Sequence, residues 1–112
     1  MKRLSDVENH LRKVLLEAVD DGLQLILGDS GRKATYFHLQ NVCSLMREDI
    51  PNNPSVFVLG LEKIFGGGAK VIEESIVKTF YCKLGIKYEE KKTATFADRL
   101  HDAIEMYKKR QG

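Results

Sequence analysis

Four residues near the carboxyl end of the chain have side chains that bind metal ions or transfer protons, and their spacing places them on one helical face: Asp98, His101, Asp102 and Glu105. A di-metal site in a helical bundle also needs carboxylate and histidine ligands from facing helices. The other histidines, His10 and His38, have no such neighbours at ligand spacing. We therefore predict no metal site here, and we expect surface ion pairs between these acids and Arg99 or Lys108.

Two short motifs suggest a reactive group. The segment Gly28–Gly31 reads Gly-Asp-Ser-Gly, the tetrapeptide around the nucleophile of trypsin-like serine proteases. That chemistry needs a histidine oriented by a buried acid and an oxyanion hole on a large β scaffold. The surrounding pattern is helical, so we predict a helix end and a turn. The acidic pair Asp20 and Asp21 also lies within a helical pattern, and we predict a solvated helix face for it.

A run of three glycines, Gly66, Gly67 and Gly68, precedes Lys70 and invites comparison with a phosphate-binding loop. That loop requires a preceding strand and a Gly-Lys-Ser/Thr ending, which supplies the lysine and hydroxyl for phosphate and magnesium. Here a helical pattern precedes the glycines, and Val71 stands where the hydroxyl is needed. We predict a structural hinge between two helices. The alternative is an anion site on the unpaired amides of the three glycines.

Basic residues lie at both ends of the chain. Lys108, Lys109 and Arg110 follow the last helical pattern, and Lys2 and Arg3 lie at the start. Cations at a helix carboxyl end complement its dipole, and this is the simpler interpretation. The alternative is a set of phosphate contacts to nucleic acid, although the aromatic interleaving typical of such binding is missing.

The elements that position these residues are helical throughout. Apolar residues recur every three or four positions, and glycine, proline and capping signals divide them, such as Thr95 and Asp98 before the last helix. The apolar stripes include Leu25 and Ile26 in the first helix, Val42 and Met46 in the second, and Ile72, Ile76, Val77, Phe80 and Leu84 in the fourth. We predict an all-α, compact bundle of about five helices: Ser5–Leu27, Lys33–Met46, Pro54–Phe65, a helix that opens after Gly68 and closes at Leu84, and a last helix from Thr95 through Tyr107. Residues 1–112 form one domain, with a core over about 18–107 and a helical extension over 5–17.

The long first helix has the most distinctive surface. Its apolar residues fit the a and d positions of a coiled-coil seam: Leu4, Val7, Leu11, Val14 and Ala18. This seam either packs against the other helices of the chain or pairs with a second copy. We predict self-association through this seam and therefore expect a homodimer.

The bulk composition narrows the class of protein. The chain is 43% hydrophobic and 30% charged, with a net charge of +2, which is too small to indicate nucleic-acid binding by itself. The two cysteines, Cys43 and Cys82, have no metal-binding spacing, and we expect reduced, buried thiols. No apolar leader or membrane-spanning run is present in the sequence. These features predict a cytoplasmic protein.

Four segments together resemble a family of small archaeal domains, the Nitrosopumilus output domain, type five: Gly22–Gly28, Arg47–Pro51, Leu61–Ala69 and Tyr81–Ile86. The most specific part is the Ile-Phe-Gly-x-Gly-Ala step that begins at Ile64. The resemblance covers about residues 18–107. It implies a helical domain that stands alone or is attached to signalling receivers. The family has no established catalytic residues, so no functional residue can be carried over.

Taken together, the sequence predicts a non-enzymatic protein-interaction or signalling output module that self-associates through the helix Ser5–Leu27. It predicts no catalytic residue, metal or cofactor. A signalling protein is the expected partner class, and no membrane contact is expected. The alternative is a nucleic-acid-binding protein that uses its basic termini.

Overall fold

The computed structural model describes residues 4–90 and 94–111, and within them it contains helices and connecting segments but no strand. This confirms the all-α class. The four α-helical segments are α1 (Leu4–Cys43), α2 (Pro54–Phe65), α3 (Ala69–Leu84) and α4 (Phe96–Gln111). Two short 3₁₀ segments, Arg47–Asn52 and Gly66–Gly68, connect α1 to α2 and α2 to α3.

Helix α1 is broken at Gly28, where φ is 76° and ψ is 177°. A straight helix would separate Asp20 from Tyr36 by about 24 Å, yet the Tyr36 hydroxyl donates a hydrogen bond to Asp20. The chain therefore folds back at Gly28 into two antiparallel limbs, an N-terminal limb (residues 4–27) and a C-terminal limb (residues 29–43). The greatest dimension of the protein is accordingly 41 Å, whereas 40 straight helical residues would span about 60 Å.

The helix end predicted at Gly28 is confirmed, but the next boundaries differ from the prediction. Helical structure resumes directly after Gly28 instead of at Lys33, and it ends at Cys43 instead of Met46. Both limbs belong to one segment interrupted at a single residue, so the structure has four helical segments where five were predicted. The 3₁₀ segment Arg47–Asn52 was not predicted.

Helix α3 is the central element, because α1, α2 and α4 all pack against it. Its predicted apolar stripe is confirmed as buried: Ile72, Ile76, Val77, Phe80 and Leu84. The N-terminal limb crosses α3 at Gly22, whose carbonyl accepts a hydrogen bond of 3.1 Å from the Ser75 hydroxyl. A side chain at Gly22 would lie 2.9 Å from the Ile76 Cα atom, so the two backbones meet there with no room for a Cβ.

The first turns of α1 belong to the core, which corrects the predicted extension over residues 5–17. Leu11, Val14 and Leu15 are buried in the same hydrophobic cluster as α3. Glu8 forms a 2.8 Å ion pair with Lys108 at the end of α4. The N-terminal limb therefore spans the whole body of the protein and contacts α4 at its far end.

Local signals at the other helix ends are partly confirmed. Thr95 and Asp98 form the predicted cap of α4, since the Asp98 amide donates to the Thr95 hydroxyl and the Thr95 amide donates to the Asp98 carboxylate. Pro54 begins α2 as predicted. Asn53 precedes it, but its side chain donates to the Asp49 carbonyl and does not cap the helix.

We predict that Gly22→Ala lowers the free energy of unfolding by about 1–3 kcal/mol, because the new Cβ must push α1 away from the α3 backbone. The matched control is Gly67→Ala, where an added Cβ has nothing within 4 Å. Urea unfolding followed by circular dichroism measures both. Equal stability of the Gly22→Ala protein and the wild type would contradict the close packing of α1 and α3.

Candidate functional site

The protease-like tetrapeptide lies at the turn between the two limbs of α1. Asp29 forms ion pairs there with Arg32 at 2.8 Å and Lys33 at 3.2 Å, and Ser30 is exposed. Hydrogen bonds from Arg32 and Lys33 lower the pKa of Asp29. The carboxylate thus pairs with neighbours on its own helix, and the geometry is that of a helical turn.

The polar face of α4 makes different contacts from those predicted. Asp98 belongs to the helix cap, Lys108 pairs with Glu8, and Arg99 pairs with Glu74 on α3. These ion pairs of Arg99 and Lys108 therefore join different helices, although the charge of Glu105 on their own face also raises the pKa of Lys108. Among residues 4–90 and 94–111, no group of three or more metal-binding side chains surrounds a common point.

Some backbone groups at the joint formed by Gly66, Gly67 and Gly68 already form hydrogen bonds within the chain. The Gly66 amide donates to the Glu62 carbonyl, and the Ala69 amide donates to the Gly66 carbonyl. Gly66, Gly67 and Gly68 are exposed, and they form the 3₁₀ turn that reverses the chain between α2 and α3. The hinge is confirmed as a structural joint, and the anion site stays a prediction.

The basic residues at the end of α4 do not form a free cluster. Lys108 pairs with Glu8, and the Arg110 guanidinium donates to the Gly85 carbonyl. Lys109 is exposed. Lys2 and Arg3 lie outside the described residues. Two of the three predicted phosphate-contacting side chains thus stabilise the fold, and these contacts do not favour the nucleic-acid alternative.

The predicted self-association seam faces the interior. Leu11, Val14 and Ala18 are buried within the chain, and Val7 packs against the same core. The side chain of Leu4 lies outside the described residues. This stripe packs on helices of its own chain, so a second copy cannot reach most of it in this fold.

Three of the exposed large apolar side chains lie in a groove between the end of the N-terminal limb and the first half of α3. Leu25 is 77% exposed, Val71 58% and Ile26 43%, and all three line this groove. The groove has a volume of about 510 Å³. Single exposed apolar residues are common on soluble proteins, whereas a concave group of them is a candidate binding surface.

The polar edge of the groove is a row on α3, Lys70, Glu74 and Lys78, spaced by four residues so that all three share one helical face. The Glu74 carboxylate accepts hydrogen bonds of 2.5 and 3.1 Å from the two terminal nitrogens of Arg99. It also accepts a hydrogen bond from the Tyr88 hydroxyl. We name Glu74, Tyr88 and Arg99 the α3–α4 clamp.

The α3–α4 clamp controls the charge that the groove presents. The hydrogen bonds from Arg99 lower the pKa of Glu74, against the opposing effect of burial, and they raise the pKa of Arg99. The Lys78 ammonium lies 5.5 Å from the centre of the Tyr88 ring, a cation–π contact. Glu74 is the only carboxylate among the groove-lining residues. Its negative charge is therefore balanced by the positive charge of Arg99.

A second polar cluster lies at the other side of the N-terminal limb, around Asp20. Arg47 donates two hydrogen bonds to its carboxylate, of 2.9 and 2.6 Å, and Tyr36 donates a third. Burial raises the pKa of Asp20, but hydrogen bonds from Arg47 and Tyr36 and the charge of Arg32 lower it overall. Asp20 is thus a structural ion-pair centre, which corrects the predicted solvated face at this residue. Asp21 is exposed as predicted and forms a 2.8 Å ion pair with Lys83.

Sequence reasoning missed the groove for a specific reason. Helical spacing assigned Leu25 and Ile26 to the buried stripe of the first helix, and Val42 and Met46 to that of the second, yet all four are exposed. The spacing identifies an apolar stripe but not the length over which a partner helix covers it. One signal of the groove was available in the sequence: Val71 is apolar but lies off the predicted buried stripe of α3.

The cysteines differ from the prediction in one respect. Both are free thiols, but Cys82 is exposed and Cys43 is half-buried. Cys43 lies where α2 crosses the C-terminal limb, against Gly60.

Comparison of the chain with models of known protein families, with curated protein sequences and with solved structures found no match in any of the three. The resemblance to the Nitrosopumilus output domain family therefore stays a prediction. No helix over the described part of the chain is both long and apolar enough to cross a bilayer.

We predict that Glu74→Gln lowers the free energy of unfolding at pH 7 by about 1–3 kcal/mol, because it leaves the largely buried Arg99 without its charged partner. The folded pKa of Glu74 is lower than its ordinary value of 4.5. Its contribution is therefore fully present above about pH 4.5 and is lost as the pH falls through the folded pKa.

Urea unfolding at pH 7 and at pH 3 measures this difference. The wild type and Glu74→Gln should differ clearly at pH 7 and less at pH 3, because the stability that the ionised carboxyl contributes decreases as the pH falls below the ordinary pKa of 4.5. Glu48→Gln, at an exposed position in the first 3₁₀ segment, is the control and should match the wild type. An equal difference at both pH values would contradict the role of the ionised Glu74.

Proposed function

We propose that this protein is a non-enzymatic protein-interaction module, and that the groove lined by Leu25, Ile26 and Val71 is its contact surface. The observation that carries the proposal is the exposure of these three apolar side chains side by side in one concavity. Their exposure is unfavourable in water by roughly 25 cal/mol for each Å² of apolar surface, so a partner that covers them gains that free energy.

The rigid surroundings of the groove support the same proposal. One wall belongs to the N-terminal limb, which the Asp20 cluster ties to Tyr36 and Arg47. The other wall is α3, which the α3–α4 clamp ties to Arg99. A surface held between two fixed helices loses little conformational entropy when a partner binds.

The family resemblance adds a proposed role as a signalling output or adaptor domain in the cytoplasm. The two free thiols, Cys43 and Cys82, are consistent with a reducing compartment. Homodimer formation, the other predicted interaction, is the alternative use of this surface. Because the predicted seam is buried, the exposed end of the same limb, at Leu25 and Ile26, would have to provide the contact.

The proposal is tested by selection of helical peptides from an unbiased display library on the immobilised protein. We expect peptides that are enriched on the wild type and lost on the double variant Leu25→Ser/Val71→Ser. The matched control is Phe37→Ser, which removes an apolar side chain that is 64% exposed but lies outside the groove.

Both variants change exposed positions and should unfold within about 1 kcal/mol of the wild type. Light scattering after size exclusion separates binding of other chains from self-association: a dimer that dissociates in Leu25→Ser/Val71→Ser would assign the groove to a second copy. The interaction proposal fails if no peptide distinguishes the wild type from the double variant and all the proteins are monomeric.

A further inference from the structure

We infer that the groove binds an amphipathic helix whose apolar stripe is flanked by acidic side chains. This inference rests on the proposed function, since it names the partner of the same surface. It follows from the charges around the groove and from their spacing along α3.

The charges that line the groove are unbalanced. Lys70 and Lys78 are exposed, whereas Glu74 between them is held by both terminal nitrogens of Arg99. Because the positive charge of Arg99 balances Glu74, the residues that line the groove present the two lysine ammonium groups as their uncompensated charges. Glu73, whose charge interacts with Lys70, lies outside this lining. An acidic partner therefore gains from both lysines, while a basic partner is repelled by both.

The spacing of the two lysines fits a helix. They are eight residues apart on α3, which places their Cα atoms about 12 Å apart along the helix axis. Acidic residues two turns apart on a partner helix have a similar separation. Apolar residues one turn apart on the same partner could then contact Leu25 and Val71, as in other complexes in which a helix occupies a groove.

A second copy of this chain fits the groove less well. A symmetric pair brings the same surface of each copy together, so Lys70 and Lys78 of one copy would lie near those of the other. These like charges disfavour the contact. The electrostatics thus select a partner of opposite charge.

Three peptides test the inference: 18-residue amphipathic helices with the same leucine stripe and with flanking positions all Glu, all Gln or all Lys. Fluorescence anisotropy measures the dissociation constant of each with the full chain. We expect the Glu peptide to bind at least tenfold more tightly than the Lys peptide, with the Gln peptide between them. The affinity of the Glu peptide should fall as salt is added.

Variants of the groove lysines and of the apolar groove residues show where the peptides bind. Lys70→Gln/Lys78→Gln should weaken the Glu peptide by about 3- to 10-fold and leave the Gln peptide almost unchanged. The control Lys63→Gln/Lys109→Gln removes two exposed positive charges elsewhere and should have little effect on either peptide. Leu25→Ser/Val71→Ser should weaken every peptide that binds.

The outcomes separate the inference from the proposed function. If Gln or Lys peptides bind as well as Glu peptides and remain sensitive to Leu25→Ser/Val71→Ser, the groove is a binding surface but the acidic partner is wrong. Equal weakening by the two lysine double variants also overturns the inference. If none of the three peptides binds, the inference fails, and the display selection decides the proposed function. Single-stranded DNA that displaces the Glu peptide at physiological salt would assign the lysines to nucleic acid instead.

Discussion

The reversal of α1 at Gly28 is the constraint on which the rest of the structure depends. A glycine with φ of 76° and ψ of 177° allows the backbone to change direction within one residue, in a region that other residues essentially avoid. The carboxylate of Asp20 then holds the two limbs together through Tyr36 and joins them to the following segment through Arg47. Without this reversal, the two limbs of α1 could not lie side by side and Tyr36 could not reach Asp20.

The reversal also explains why the groove exists. Leu25 and Ile26 lie in the last turn before Gly28, beyond the point at which the N-terminal limb crosses α3 at Gly22. The limb is covered along its central part but not at this end, and Val71 near the start of α3 is uncovered for the same reason. The apolar concavity is therefore a consequence of where two helices cross.

Charge pairing determines which charges the edge of the groove presents. Two polar clusters of similar design, around Asp20 and Glu74, each contain a carboxylate that receives an arginine and a tyrosine from other elements. Burial raises the pKa of Asp20, but hydrogen bonds from Arg47 and Tyr36 lower it overall. Hydrogen bonds from Arg99 lower the pKa of Glu74 against the effect of burial. Both clusters hold helices in register. The one around Glu74 also removes a negative charge from the groove edge, so that the lysines beside it dominate the surface.

The sequence by itself determined the helical class, the break at Gly28, the cap at Thr95 and the buried stripe of α3, because each depends on residues close together in the chain. The stripe of the first helix could be recognised, but not which part of it is covered, since burial depends on helices far away in sequence. Only the tertiary structure decided that Leu11, Val14 and Ala18 are interior while Leu25 is exposed. It likewise decided that Arg99 and Lys108 pair with Glu74 and Glu8, because ion pairs between helices are set by the packing that brings them together.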